Sequence, residues 1–249
     1  MPDTRRHRGP HPEDAALFAP EQWRYLQCAV RHLSWLLSGG YAWESALKLV
    51  GDRFRLNARQ RLAVQRCACS DQSLLRRAAS CLPWQAVAGQ GVSIDGFNLL
   101  MTVEAALAGG VLLCGRDQCL RDMASVHGSY RKVAETMPAL RAIGAFFSHA
   151  PPAHCTWWLD RPVSNSGRLS QLIVALAEAE GWPWQTQLVT DPDRELTQTQ
   201  DLVVTADSVI LDACCRWVNL AAAIVAAAAH QAWIVPLNDP APPPSALAP

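Results

Sequence analysis

From residue 91 onward, short β-rich runs alternate with stretches of helical periodicity, and this alternation does most to limit the folds open to the chain. Runs at 92–95, 111–114, 155–159, 185–189, 202–205 and 233–235 read as strands, with helices expected at 98–107, 132–147, 167–180, 208–217 and 220–229. Strands joined through helices run parallel, because the crossover is too long for a hairpin. The pattern predicts an α/β domain over residues 91–236, with a mainly parallel sheet and crossover helices. Gly109-Gly110 and Gly181 stand where helix C-termini favour glycine. The run 119–123 is expected to pair with 111–114 through Gly115-Arg116-Asp117, as an insertion outside the core.

Residues 21–82 have a different character. Leu26, Val30, Leu33, Leu36 and Leu37, then Ala46, Leu47, Leu49 and Val50, then Leu62, Val64 and Cys67 recur at helical spacing, predicting a small all-helical domain of three or four helices. Gly39-Gly40 separates the first two, and Asn57 is the expected N-cap of the helix carrying Arg59, Arg61 and Arg66. Residues 83–90 read as a linker. Segments 1–20 and 237–249, rich in Pro and in polar or small residues, are expected to be loose tails.

Half of the residues are apolar and 18% are charged, which excludes disorder over most of the length. The 22 Lys+Arg and 22 Asp+Glu balance overall but divide unevenly: residues 1–90 hold 13 basic against 7 acidic, and residues 91–249 hold 9 against 15. A basic part beside an acidic part suits a protein that attracts a polyanion with one and holds cations with the other; two ordinary surfaces are the plain alternative. Nine cysteines with no C-x-x-C pair argue against a disulfide framework or zinc ribbon and for reduced thiols, which makes the cytoplasm the expected location. The basic start lacks the layout of a secretory signal. The most membrane-like stretch, 220–235, is mostly alanine, is bordered or interrupted by Asn219, His230 and Gln231, and falls short of the ~20 strongly apolar residues a span requires.

Three expected strands end in an acid: Asp95, Asp160 and Asp207, the last closing Val-Val-Thr-Ala-Asp. Ligands of open parallel sheets bind outside the carboxyl ends of the strands, so the three would meet at one edge. Like charges so placed repel unless a cation neutralises them, and hard oxygen donors suit Mg²⁺ or Mn²⁺. Asp191, Asp193 or Glu195 supplies a fourth acid, Asp193 being the one expected to act with the three. Taken singly, each aspartate reads first as a helix N-cap or turn; it is the three together that favour the metal.

The loop Ser164-Asn165-Ser166-Gly167-Arg168 follows Asp160 and opens a helix, where backbone N–H groups and Arg168 would hold a phosphate; capping by Ser164, Asn165 or Ser166 is the alternative. The polar cluster Asp122, His127, Gly128, Ser129, Tyr130 and Arg131 lacks G-x-S-x-G and reads as a rim loop, not a hydrolase triad. Cys67, Cys69, Cys214 and Cys215 read as small apolar core residues, and Trp157, Trp158, Trp182 and Trp184 as packing anchors. Arg53, Arg55, Arg59, Arg61, Arg66, Arg76 and Arg77 offer a grip for a polyanion, or a solvated helical face.

Ile94-Asp95-Gly96-Phe97-Asn98-Leu99-Leu100 resembles the opening strand–D-G-x-N–helix motif of PIN-like nucleases of the NYN type, and Val203-Val204-Thr205-Ala206-Asp207 resembles their late strand end. Ile94 to Leu107, Asp160 to Leu169 and Asp207 to Asp212 also resemble an uncharacterised prokaryotic family, domain of unknown function number 434, over roughly residues 23–236. The resemblance to PIN-like nucleases implies a three-layer α/β sandwich and metal-dependent cleavage of RNA, with Asp95, Asp160 and Asp207 as metal ligands, Asp193 completing the catalytic acids and Asn98 on the substrate side with the 164–168 loop. Two departures from the nuclease pattern stand out: Glu104 is expected to face solvent, and Arg161 is placed to neutralise Asp160 without a metal. A non-catalytic nucleic-acid- or protein-binding module is the competing expectation. An aspartyl-phosphate phosphomonoesterase ranks third, since Ser93 breaks the D-x-D pattern it needs.

Overall fold

The computed structural model of the protein describes residues 7–124 and 128–238. In chain order the elements are α1 (Asp14–Leu17), α2 (Pro20–Ser38), α3 (Trp43–Arg53), α4 (Ala58–Cys67), α5 (Asp71–Ser80), β1 (Cys81–Leu82), a 3-10 turn (Trp84–Val87), β2 (Gly91–Asp95), α6 (Gly96–Leu107), β3 (Val111–Cys114) and β4 (Leu120–Asp122). They continue as α7 (Thr136–Phe147), β5 (His154–Asp160), α8 (Ser166–Glu180), β6 (Trp184–Val189), α9 (Pro192–Gln198), β7 (Leu202–Val204), α10 (Ser208–Leu211), β8 (Trp217–Val218), α11 (Leu220–Ala228) and β9 (Trp233–Pro236).

The first long helix starts where proline is tolerated, with Pro20 at its first turn, and stops at Gly39; Gly40, at φ +78°, then reverses the chain toward α3. Asn57 caps α4 as expected, within a reciprocal capping box with Gln60. The apolar stripe of α2 is buried at Leu26, Leu33 and Leu36, and it joins Val50 and Val64 in a core that also takes in Val111, Leu113 and Val235. The helices α2–α4 therefore share one hydrophobic cluster with strands from much later in the chain.

Six strands form a parallel sheet in the order β1-β8-β7-β2-β5-β6. From β2 the chain steps outward to β5 and β6, then returns to the opposite side of β2 with β7 and β8. Its reversal point lies between β2 and β7, where Ile94 stands in register with Val204. Both faces of its central strands β2 and β7 are buried. Ile94, Trp157 and Val204 enter a cluster with residues of α6, α7, α8 and α11, while Val203 and Trp217 enter a second with Leu196 and Ile210. Full burial of such side chains stabilises by about 1.5–3 kcal/mol each.

The six expected strands form, but two of them, β3 and β9, lie outside the main sheet. They build a three-stranded sheet with β4, in the order β4-β3-β9. The expected hairpin of 111–114 with 119–123 exists as the antiparallel β3–β4 pair, yet all three β4 residues are buried, so it is core and no peripheral insertion. The main sheet instead recruits Cys81-Leu82 from the segment expected to be purely helical, and the linker 83–90 contains the 3-10 turn with Val87 buried. The helix expected over 208–217 ends at Leu211, and Trp217 pairs as β8 with β7 and β1. Helix α9, not expected, begins with Asp191 as N-cap and Pro192 in its first turn.

The leading segment also differs from the expected loose tail over 1–20. From His7 on it is packed: Phe18 and Asp14 are buried, and Arg8 reaches the fully buried Glu104 at 2.8 Å. Glu104 accordingly does not face solvent; it also accepts from Tyr130 and Thr136, each at 2.6 Å. Leu237 is buried as well, and residues 239–249 lie outside the described residues. Among the described residues, no helix is long and apolar enough to cross a membrane.

Candidate functional site

At the reversal point of the sheet the carboxyl ends of β2 and β7 border a cleft of about 770 Å³. Its lining includes Asp95, Asn98, Asp193, Asp207 and Ser208, together with Trp43 of α3, Gln65 and Arg66 of α4, Ser70 just before α5 and Ser73 within it. The position follows from the topology, since crossovers on opposite sides of adjacent strands leave a crevice at their carboxyl ends.

Asp95 ends β2 and caps α6, with Oδ1 accepting the Asn98 amide at 3.4 Å. Its Oδ2 accepts the Thr205 hydroxyl at 2.8 Å. Burial, reinforced by the charges of Asp207 and Asp193, pushes the carboxyl up to about 7 against the hydrogen bond from Thr205. Asp207 caps α10 with Oδ1 alone, which takes the amides of Val209 at 2.7 Å and Ile210 at 3.4 Å. Capping and convergence therefore coexist in the same residues.

Asp193 links the acids electrostatically. Burial raises its pKa first, and Asp207, Asp160 and Asp191 raise it further. Of the three acids in the Asp191-to-Glu195 stretch, Asp193 is the one lining the cleft, while Asp191 is engaged as the α9 cap through the Arg194 amide. Asp160 lies two residues beyond Trp158, the register partner of Asp95, and does not line the cleft. Burial and then Asp191 raise its pKa. Arg161 does not neutralise it by a hydrogen bond; its Nη2 donates to the Leu188 carbonyl at 2.7 Å. The structure thus groups Asp95, Asp193 and Asp207 and sets Asp160 at the margin. Among the described residues, no three His, Cys, Asp or Glu side chains are grouped closely enough to hold a metal ion.

Asn98 is committed to the fold: its Oδ1 accepts the Ala206 amide at 2.8 Å. The Ala206 carbonyl, in turn, accepts from Arg121 Nε at 2.8 Å. Arg121 grips Asp117 through two hydrogen bonds, 2.8 and 2.6 Å, and Asp117 also meets Arg77, whose other contacts reach Asp212 at 2.7 and 2.9 Å. Burial alone would raise Asp117, but Arg121 and Arg77 outweigh it and hold the carboxyl near 2. This network, whose Arg77, Arg121 and Asp212 also line the cleft, fixes the loop carrying Asp207. Arg121 stands four residues from Asp117 but 85 from Ala206, so no local pattern announces the clamp.

The loop from Ser164 to Arg168 does not border the cleft. Ser164 exchanges backbone hydrogen bonds with Gly128 and Tyr130, Asn165 sits at φ +70° with its amide on the Tyr130 carbonyl, and Ser166 is buried; Arg168 is exposed. Of the polar cluster around 122–131, His127 lies outside the described residues, and Asp122 is buried with Oδ1 accepting the Ala124 amide at 2.6 Å. The arginines are largely paired. Arg59 holds Asp14 at 2.7 Å, Arg61 holds Asp52 at 2.7 Å, and Arg66 donates to the carbonyls of Asp122 and Ala124 from within the cleft wall. Cys67, Cys69 and Cys214 are buried, with burial pushing the Cys69 and Cys214 thiols up to about 11, whereas Cys215 is exposed.

The family described as Domain of unknown function (DUF5616) matches residues 84–223, and the chain belongs to it. Residues 25–79 match a second family, described as Protein of unknown function (DUF434). The resemblance to family 434, expected over most of the chain, is thus confined to the helices, and the α/β part carries a separate family. An uncharacterized protein of Methanocaldococcus jannaschii is 27% identical over 186 residues, covering 75% of this chain and 88% of the relative. No solved structure matches the chain.

Proposed function

We propose that the protein is a divalent-metal-dependent phosphodiesterase that cleaves RNA, with a PIN-like three-layer arrangement of its α/β part and helices α2–α5 forming the wall that faces the substrate. The observation that carries this reading is that Asp95, Asp193 and Asp207 line one cleft at the reversal point of the sheet. A fold gains nothing from bringing like charges together, and a bound cation removes their repulsion. The donors fit such an ion in kind, being carboxylate oxygens that suit Mg²⁺ or Mn²⁺. Asp95, Asp193 and Asp207 line the cleft that would take the ion, but they are not grouped closely enough for all three to ligate it directly.

When bound, the ion supplies an activated water and charge neutralisation at the phosphate. The chain's own residues orient the acids: Thr205 and the Asn98 amide fix Asp95, and the caps on Val209 and Ile210 fix one oxygen of Asp207. Cleavage of labelled RNA by the full chain with Mn²⁺, compared with Asp95→Asn and Asp207→Asn, tests the reading. Both variants are expected to lose cleavage and calorimetric Mn²⁺ binding; parent-like cleavage in either one overturns it.

One observation favours a second reading, a non-catalytic nucleic-acid- or protein-binding module. The described acids are not grouped tightly enough to form a three-ligand metal site. On that reading the parent binds RNA without Mn²⁺-dependent cleavage.

A further inference from the structure

The outer side of α2 carries charge that the fold does not use. Most arginines of the first helices are engaged internally: Arg59, Arg61 and Arg77 are held by acids, and Arg66 by carbonyls. Arg24, Arg53 and Arg55 are exposed, and among the described residues their guanidinium groups meet no carboxylate or carbonyl. Packing brings them together. Tyr25 and His32, two turns apart on α2, both set their rings edge-on to Phe54, at centroid distances of 5.2 and 5.1 Å, and the Tyr25 hydroxyl donates to the Phe54 carbonyl. Phe54 stands between Arg53 and Arg55, so the turn after α3 is pinned beside the face of α2 that bears Arg24 and Arg31. Arg31, whose Nη2 reaches Cys28 Sγ at 3.6 Å, belongs to the same group: burial first, then the charges of Arg53 and Arg31, hold the His32 imidazole below its ordinary range. Asp52, beside Arg53, is bound instead by Arg61 at 2.7 Å and Lys48 at 3.2 Å. Like charges gathered in this way repel one another, and a bound anion relieves the repulsion.

We propose that Arg24, Arg31, Arg53 and Arg55 form a docking surface, outside the acid-lined cleft, that holds the phosphate backbone of RNA without regard to sequence. None of the four lines the cleft, and the surface stands whether or not the acids cleave. Guanidinium forks match phosphate oxygens. Arg24 and Arg31, seven residues apart on one line of the helix, span about 11 Å, enough to meet more than one phosphate of a strand. The surroundings favour nucleic acid over a lipid surface. A helix that lies on a membrane turns its apolar side to the acyl chains, whereas α2 has buried that side at Leu26, Leu33 and Leu36. Beside the arginines it leaves outside Tyr25 and, one turn beyond Arg31, Trp35, 39% and 70% exposed, flat rings on which bases can stack.

The test measures binding of the full chain to a labelled RNA strand of mixed sequence in EDTA, from about 50 to about 200 mM salt. The parent is compared with three double variants. Arg24→Gln with Arg53→Gln removes two charges from the surface, Arg24→Lys with Arg53→Lys keeps them, and Arg141→Gln with Arg216→Gln removes as many from exposed positions elsewhere. Thermal melts verify that each is folded. The first pair should bind about tenfold more weakly, with a logarithmic salt slope shallower by about 1.4, because two phosphates are no longer neutralised. The lysine pair should keep the parent's slope, and the distant pair should stay close to the parent. Parent-like affinity and slope in the first pair, or an equal loss in the distant pair, overturns the proposal. So does a parent that sediments with phosphatidylserine vesicles but binds no RNA. A parallel Mn²⁺ cleavage assay separates this claim from the nuclease reading. Arginine-dependent, salt-steep binding without cleavage removes the nuclease and supports the docking surface. Asp95-dependent cleavage with an unchanged KM in the first pair removes the docking surface alone.

Discussion

Thr205 joins Asp95 to Asp207: its hydroxyl donates to Asp95 Oδ2 at 2.8 Å and accepts the Asp207 amide at 2.9 Å. One side chain thereby ties the residue ending β2 to the loop that follows β7.

Thr205→Val removes that donor and leaves a deeply placed carboxyl with one fewer partner. A loss of about 1–2 kcal/mol is expected in urea denaturation at neutral pH, with Thr205→Ser retaining most of the stability. Equal stability of the valine variant and the parent would show that the bond contributes nothing.

The raised pKa of Asp95 has a definite sign in stability. Its folded value is about 7, above the ordinary carboxylate range, so between about pH 4 and pH 7 the folded state holds more protons than the unfolded state. Its contribution therefore lowers stability as pH rises through that window and levels off above it. Asp95→Asn, measured in EDTA, should be more stable than the parent at pH 8 by on the order of 3 kcal/mol and nearly equal to it at pH 4. A difference between the two proteins that does not change with pH would contradict this assignment.

Arg121 faces a buried partner. Replacing it with Met leaves Asp117 with Arg77 as its one cationic partner, beside the Cys119 amide, and deprives the Ala206 carbonyl of its donor. A loss of about 3–5 kcal/mol is expected from denaturant titration, because an incompletely paired buried charge remains. The double change Arg121→Met with Asp117→Leu should recover part of it; failure to recover any would locate the cost elsewhere.

Gly144 lies where α7 meets an indole. A Cβ there would stand 2.1 Å from Trp182 Cη2, and the ring is held at a 4.5 Å centroid distance from Trp184. Gly144→Ala should lower stability by about 1–3 kcal/mol despite the better helix propensity of alanine, and Gly144→Ala with Trp182→Leu should restore it. Thermal melts read both; an unchanged or raised Tm in the single variant would refute the clash.

The strands were legible because their residues alternate with long helical runs, and the acids because each closes such a run. Which sheet a strand joins is a different matter. Val111 pairs with Trp233, far along the chain, and nothing in either segment says so. Strands of two residues, such as Cys81–Leu82 and Trp217–Val218, are shorter than any period. The leading basic segment read as solvated because the value of Arg8 depends on Glu104, an acid 96 residues away. At the site, Asp95 and Asp207 were visible, whereas Trp43 gave no signal: one tryptophan among ten at the start of a helix looks like any packing anchor.

Gln27, in α2, donates to the carbonyl of Pro236, 209 residues later, and Val235 lies in the same cluster as Leu26 and Leu33. During synthesis the early helices must therefore wait, apolar faces uncovered, until β9 has been made. Contacts of such long range slow folding and lengthen the interval in which exposed surface invites association with other chains. The boundary between the two matched families is thus not a boundary of folding: the segment before it lacks the strands that complete its interior.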